Sequence, residues 1–148
     1  MLQPFDDNYF MRQALLLAQH AASIDEVPVG AVVVYQNKII GKGYNQVEQL
    51  QDVTAHAEII AITAAAQAIG SKFLNDSTLY VTLEPCMMCA GASLHARVGK
   101  IVFGAYDVKS PFSGKINDFL AHHTIVGGVM EAECKEILVN YFKGKRKV

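Results

Sequence analysis

Between Asn8 and Ala22, the apolar residues Phe10, Ala14, Leu17, Ala18 and Ala21 recur every three or four positions, the stripe of an amphipathic helix, with Asp6 or Asp7 ahead of them as cap candidates. The pattern breaks at Ser23 to Glu26 and changes period. Val29 to Tyr35 is apolar at nearly every position and predicts a strand covered on both faces, near the centre of a sheet. Ile39 to Tyr44 follows it as the second arm of a hairpin, joined through Gln36-Asn37-Lys38. Gln46 to Asp52 is polar and predicts a loop. Ala55 to Ile69 is an alanine-rich helix stopped by Gly70, with Thr54 as its N-cap. Thr78 to Leu83 is the next strand, ending at Glu84, and Pro85 suits the first turn of a third helix. Lys100 to Gly104 is a fourth strand, parallel to the third because a helix crosses between them. Ala105 to Lys115 reads as a loop, Ile125 to Val129 as an edge strand and Glu131 to Phe142 as a last helix. The histidines outside these signals, His20, His122 and His123, read as solvated.

This element order predicts an α/β fold: a three-layer α/β/α sandwich whose mixed sheet has about five strands. With 148 residues, 51% hydrophobic, the chain is expected to form a single domain over residues 1–148. Asp6 and Asp7 stand where a signal peptide would carry positive charge, and no apolar run reaches the roughly 18 residues of a membrane span. The expectation is a cytoplasmic protein with no membrane partner. Three cysteines give no disulfide framework and agree with a reducing compartment. A net charge of -1 is unhelpful for binding nucleic acid, so any such partner must meet a local patch; Lys143 with Lys145, Arg146 and Lys147 is the candidate.

Chemistry concentrates in two short stretches, Thr54-Ala55-His56-Ala57-Glu58 and Leu83-Glu84-Pro85-Cys86-Met87-Met88-Cys89. One imidazole and two thiols are three ligands for a tetrahedral zinc, one per chain, with the fourth position open for water and therefore catalytic rather than structural. Cys86 and Cys89 are three apart, so a helix sets both on one face near its N-terminus, where its dipole and free amides favour thiolate. Two thiolates neutralise the ion and weaken it as a Lewis acid, so the water needs a base. Glu58, two residues beyond His56 and outside its ligand direction, fits that role as proton shuttle. Cys134 could close the shell, but its setting in the last helix reads as a packed core cysteine.

His-x-Glu followed by Pro-Cys-x-x-Cys is the established signature of zinc nucleobase deaminases. Thr82 to Ala92, followed by His95-Ala96-Arg97, Phe103-Gly104-Ala105 and Asp107-Val108-Lys109, resembles the bacterial tRNA-specific adenosine deaminases, from about Val27 to Lys115. The resemblance implies a cytidine deaminase-like topology, a homodimer, and hydrolytic conversion of adenosine to inosine at position 34 in a tRNA anticodon loop. It also implies substrate contacts from Asn45, the Ala57 amide, Asp107 and Lys109. The chain departs from the family pattern after Asn45, where Gln46 and Val47 replace the usual Arg and Pro, and after Lys109, where Ser110-Pro111 stand. Phe112 is open between base stacking and the core. Two other readings share the metal motifs: a deaminase of a free base or nucleotide such as guanine or cytosine, and a zinc-stabilised RNA-binding subunit without activity. Glu58 argues against the second.

Overall fold

The structure is a computed structural model that describes residues 5–146. Helix α1 (Asp7–Ser23) starts at Asp6, whose carboxylate accepts a hydrogen bond from Tyr9 N at 2.8 Å, as the cap candidates predict. Strands β1 (Gly30–Tyr35) and β2 (Lys38–Tyr44) form the hairpin. Its turn is one residue tighter than expected: Lys38 pairs with Tyr35, and Gln36 and Asn37 both adopt positive φ, 50° and 60°. That is the twist a two-residue hairpin demands.

The stretch read as a polar loop contains a short helix, α2 (Val47–Leu50). Nothing local specifies it. Its first amides, Glu48 N and Gln49 N, donate to the buried carboxylate of Glu26 at 3.1 and 2.7 Å, so a residue 22 and 23 positions away supplies the cap. Then come α3 (Ala57–Ile69), closed by Gly70 at φ 67°, β3 (Thr78–Leu83), α4 (Met87–His95), β4 (Lys100–Ala105), a one-turn α5 (Ile116–Phe119), β5 (Thr124–Val126) and α6 (Glu131–Arg146). The edge strand β5 ends before the predicted Val129: Gly128, at φ 85°, breaks the regular pairing, although Gly128 N and Val129 N still donate to Gly104 O and Phe103 O of β4 at 3.1 and 3.2 Å.

The five strands run in the order β2-β1-β3-β4-β5. β1 is antiparallel to β2 and β3, while β3, β4 and β5 are mutually parallel, the mixed sheet that the sequence predicts. β1 is interior, though the centre belongs to β3. Strand alternation sends Val33, Leu79, Val81, Ile101 and Phe103 to the face covered by α3 and α4. Val32, Val34, Tyr80 and Val102 face α1 and α6, with Phe10, Met11, Ala14 and Cys134. Cys134 is fully buried, as read, and Phe112 is a core residue set edge-on to Phe119. His122 is exposed, but His123 departs from the solvated reading, since its Nδ1 is buried without a partner among the described residues.

Layer spacing on the α3 side is set by two glycines. Gly41 and Gly43 of β2 lie against the backbone of α3, and a methyl added at Gly43 would stand 2.7 Å from Ala61 N and closer still to Ala57 O. The helix that begins at His56 therefore rests on the sheet at main-chain contact. Among the described residues, no helix is long and apolar enough to cross a membrane.

Candidate metal centre and active-site pocket

Two helix starts meet at the carboxyl end of β3, where open α/β sheets build their sites. His56 (φ −75°, ψ 154°) and Cys86 (φ −74°, ψ 173°) are the N-cap residues of α3 and α4, extended as a cap requires. This corrects two expectations. Thr54 is not the cap: its N and Oγ1 donate to Asp52 Oδ1 at 2.9 and 2.7 Å within the preceding turn. Pro85 lies ahead of the cap rather than in the first turn, where its fixed φ holds the chain extended into Cys86. Neither cap residue makes a side-chain capping bond, so the imidazole and the thiol are available to other partners.

They turn to each other and to Cys89, the third residue of α4. His56 Nδ1 lies 3.7 Å from Cys86 Sγ and 3.5 Å from Cys89 Sγ, and the three ligand atoms all fall within 4.8 Å of one another. A tetrahedral zinc with its usual Zn–S and Zn–N bond lengths would separate sulfur from nitrogen by about 3.6 Å. The donor set therefore fits such an ion in both distance and chemistry. Protonation agrees. The Cys86 thiol is driven down to about 3, because Cys89 and His56 both donate to it. Donating to Cys86, and then burial, push Cys89 the other way, while the bond to Cys86 raises His56. Metal-free, the trio shares protons that a cation would displace.

Glu58 is 4% exposed and lines the same pocket as His56 and Cys86. Burial raises its carboxyl to about 6, opposed by its own backbone amide and by His56. The trio opens into a pocket of about 310 Å³ lined by Asn45, His56, Glu58, Glu84, Cys86 and Asp107 among others. Asn45 is buried and its Oδ1 accepts from Ala57 N at 2.8 Å, which leaves its NH₂ as the unspent polar group. In this arrangement the Ala57 amide is directed to Asn45. Asp107 also lines the pocket, its carboxyl raised by burial, by Glu84 and by Cys86. Lys109 does not line this pocket; it is exposed in a neighbouring groove with Tyr106, Lys135, Phe142 and Lys143.

Two buried acids escaped the sequence reading. Glu26 caps α2, and Glu84 accepts from Asp107 N, Ser113 Oγ and Gly114 N at 3.0, 3.1 and 2.9 Å. The only local signal was a carboxylate ending an apolar strand. Of the basic tail, Lys147 lies outside the described residues, and Lys145 pairs with Asp25.

The family described as MafB19-like deaminase matches residues 5–146. The tRNA-specific adenosine deaminase of Buchnera aphidicola subsp. Schizaphis graminum is 48% identical over 145 residues, covering 95% of this chain and 96% of its own. The chain belongs to the tRNA-specific adenosine deaminase family. A structure from work on A-to-I editing by tRNA:A34 deaminases at the wobble position superposes with TM-score 0.81 at 42% identity, covering 88% of this chain and 99% of its own. The fold of this adenosine deaminase is thus the cytidine deaminase-like one that the sequence predicts. It is shared with the guanine deaminase from Nitrosomonas europaea, at TM-score 0.81 but 22% identity, covering 95% of this chain and 85% of the other. At that distance the likeness shows the fold alone.

Proposed function

We propose that the chain, acting as one domain, converts adenosine to inosine by hydrolysis at position 34 of a tRNA anticodon loop, using one zinc held by His56, Cys86 and Cys89. The observation that carries this is the convergence of those three ligand atoms on the floor of a pocket beside the buried Glu58. The deaminase and wobble-editing names of its relatives support the substrate. Bound there, zinc supplies Lewis-acid activation of the attacking water. Glu58 would take one proton from that water and hand it to ring N1 as oxygen adds to C6, then take the remaining proton from that oxygen and pass it to the departing amine as the C6 carbonyl forms. Water and adenosine become inosine and ammonia.

Asn45 offers its NH₂ to the base edge, and Ala57 serves by fixing the Asn45 carbonyl. Asp107 contacts the sugar or a flanking base, while Lys109 meets phosphate from the adjoining groove. A single-stranded loop presents a base that can swing into the pocket at little unstacking cost. The enzyme works in the cytoplasm, where thiol ligands stay reduced, and as a homodimer, for which the exposed Met87, Met88 and Leu94 of α4 offer apolar surface.

The experiment is incubation of zinc-loaded protein with an anticodon stem-loop bearing adenosine at the wobble position, and separately with free guanine and cytosine. Inosine in the RNA alone is the expected result, and turnover of a free base alone overturns the substrate. Glu58→Ala should retain about one zinc per chain and lose activity; persistent inosine formation refutes the shuttle.

A further inference from the structure

Glu84 takes no part in the chemistry above, yet it is 4% exposed at the pocket wall and all its bonds run to one segment. Oε1 accepts from Asp107 N and Ser113 Oγ, and Oε2 accepts from Gly114 N. Its own N donates to Ala105 O at 2.8 Å, so its backbone is fixed to the end of β4. The segment it holds, 106–115, has otherwise local hydrogen bonds among the described residues: Ser110 N to Asp107 O, Ser113 N to Ser110 O and Lys115 N to Phe112 O. Phe112 anchors it in the core by apolar contact, which sets depth but not rotation.

A buried carboxylate is costly unless its oxygens are met by donors, and here three donors, two of them backbone amides, meet them. Gly114, at φ 75°, turns so that its amide can reach Oε2. Glu84 also stands two residues before Cys86 on extended chain. The loop that carries Asp107 to the pocket therefore takes its position from the same backbone that presents a metal ligand.

We infer that Glu84 is a positioning residue for the RNA substrate: it locks segment 106–115, and with it Asp107, at a fixed distance from the metal ligands. This rests on the function proposed above. Loosening the lock enlarges the ensemble of wall positions, which weakens substrate binding while leaving His56, Glu58, Cys86 and Cys89 in place.

The test compares wild type with Glu84→Ala, Glu84→Gln and Ser113→Ala. Zinc content, kcat and KM on the anticodon stem-loop, and amide hydrogen exchange are measured for each. Glu84→Ala should raise KM by about 10- to 100-fold, the loss of charge-assisted bonds, with kcat within about threefold and zinc retained. Exchange at Asp107 and Gly114 should accelerate while β3 stays protected. Glu84→Gln keeps one carbonyl acceptor and falls between, and Ser113→Ala raises KM by about two- to fivefold. Unchanged KM and exchange in Glu84→Ala overturn the inference, as does a loss of zinc and kcat at constant KM. Should Glu84→Ala fail to fold, unchanged KM and exchange in the other two variants overturn it equally. Wild type that makes no inosine refutes the proposed function instead, and exchange at Asp107 and Gly114 then decides the lock.

Discussion

Gly43→Ala is expected to cost both stability and metal, although alanine in place of glycine inside a strand ordinarily stabilises. The added methyl would lie 2.7 Å from Ala61 N and nearer to Ala57 O, against a relaxed carbon contact of about 3.5 Å or more. Backbone on both sides leaves no side chain to rotate away, so α3 must lift by about 1 Å. Overpacking costs about 1–3 kcal/mol, and a main-chain clash belongs at the upper end. For a domain of this size, about 3 kcal/mol lowers Tm by roughly 6–12 °C. Ala57 stands between His56 and Glu58, so the same displacement moves a metal ligand and the proton shuttle. Metal sites tolerate about 0.2 Å, so zinc affinity should fall at least about tenfold. The assay is thermal unfolding with and without zinc, plus zinc retention against a competing chelator. Gly144→Ala, where a methyl meets nothing within 4 Å, is the control and should be neutral or slightly stabilising. A Gly43→Ala protein that melts and holds zinc like wild type would refute the claim that sheet-to-helix contact positions the site.

Two further outcomes are expected. Asn45→Ala orphans the buried Ala57 N–H, costing about 1–3 kcal/mol in unfolding experiments, and raises KM for the stem-loop at least about tenfold. Asn45→Asp keeps the acceptor and should recover stability but not KM, so identical behaviour of the two variants would dismiss a base contact. Tyr80 donates to Asp7 Oδ1 at 2.7 Å, and burial followed by that bond raises its hydroxyl above the ordinary range. A raised folded value favours the protonated form in the native state. Its stabilisation is thus complete below about pH 10, the unfolded value, and lost as pH climbs through the folded one. Urea unfolding between neutral and strongly alkaline pH should show a steeper alkaline decline for wild type than for Tyr80→Phe, and parallel curves would count against this.

The clustering of His56, Cys86 and Cys89 was readable in the chain because much of it is local: a helix start fixes the Cys86 to Cys89 spacing, and His-x-Glu sits at another. Strands β1, β3 and β4 announced themselves through apolar runs, and their alternation assigns each face of the core. The helix starts were displaced by two residues at α3 because propensity placed Thr54 at the cap. The tertiary site instead draws His56 there, and Thr54 bonds Asp52. What stayed hidden was α2 and the ordering of 106–115, since Glu26 and Glu84 specify them from 22 to 30 residues away and no periodicity records such bonds.

Those hidden ties bear on substrate choice more than the motif does. The job proposed for the residues at the floor of the pocket, holding an ion and moving a proton, is the same for any aminated ring. The fold itself is shared with a guanine deaminase at 22% identity, so neither layer order nor strand order selects adenosine in RNA. On the proposed function, discrimination falls to the walls: Asn45, next to the α2 helix that Glu26 caps, and Asp107, whose amide Glu84 holds. Both walls are short segments, one of them the single turn of α2, hung from buried carboxylates, which leaves them free to vary in sequence while their distance from His56, Cys86 and Cys89 stays fixed. Changes of substrate within this fold should therefore accumulate in 46–52 and 106–115, with the two acids that hold them kept. This chain already departs from the family pattern in both segments, at Gln46-Val47 and Ser110-Pro111.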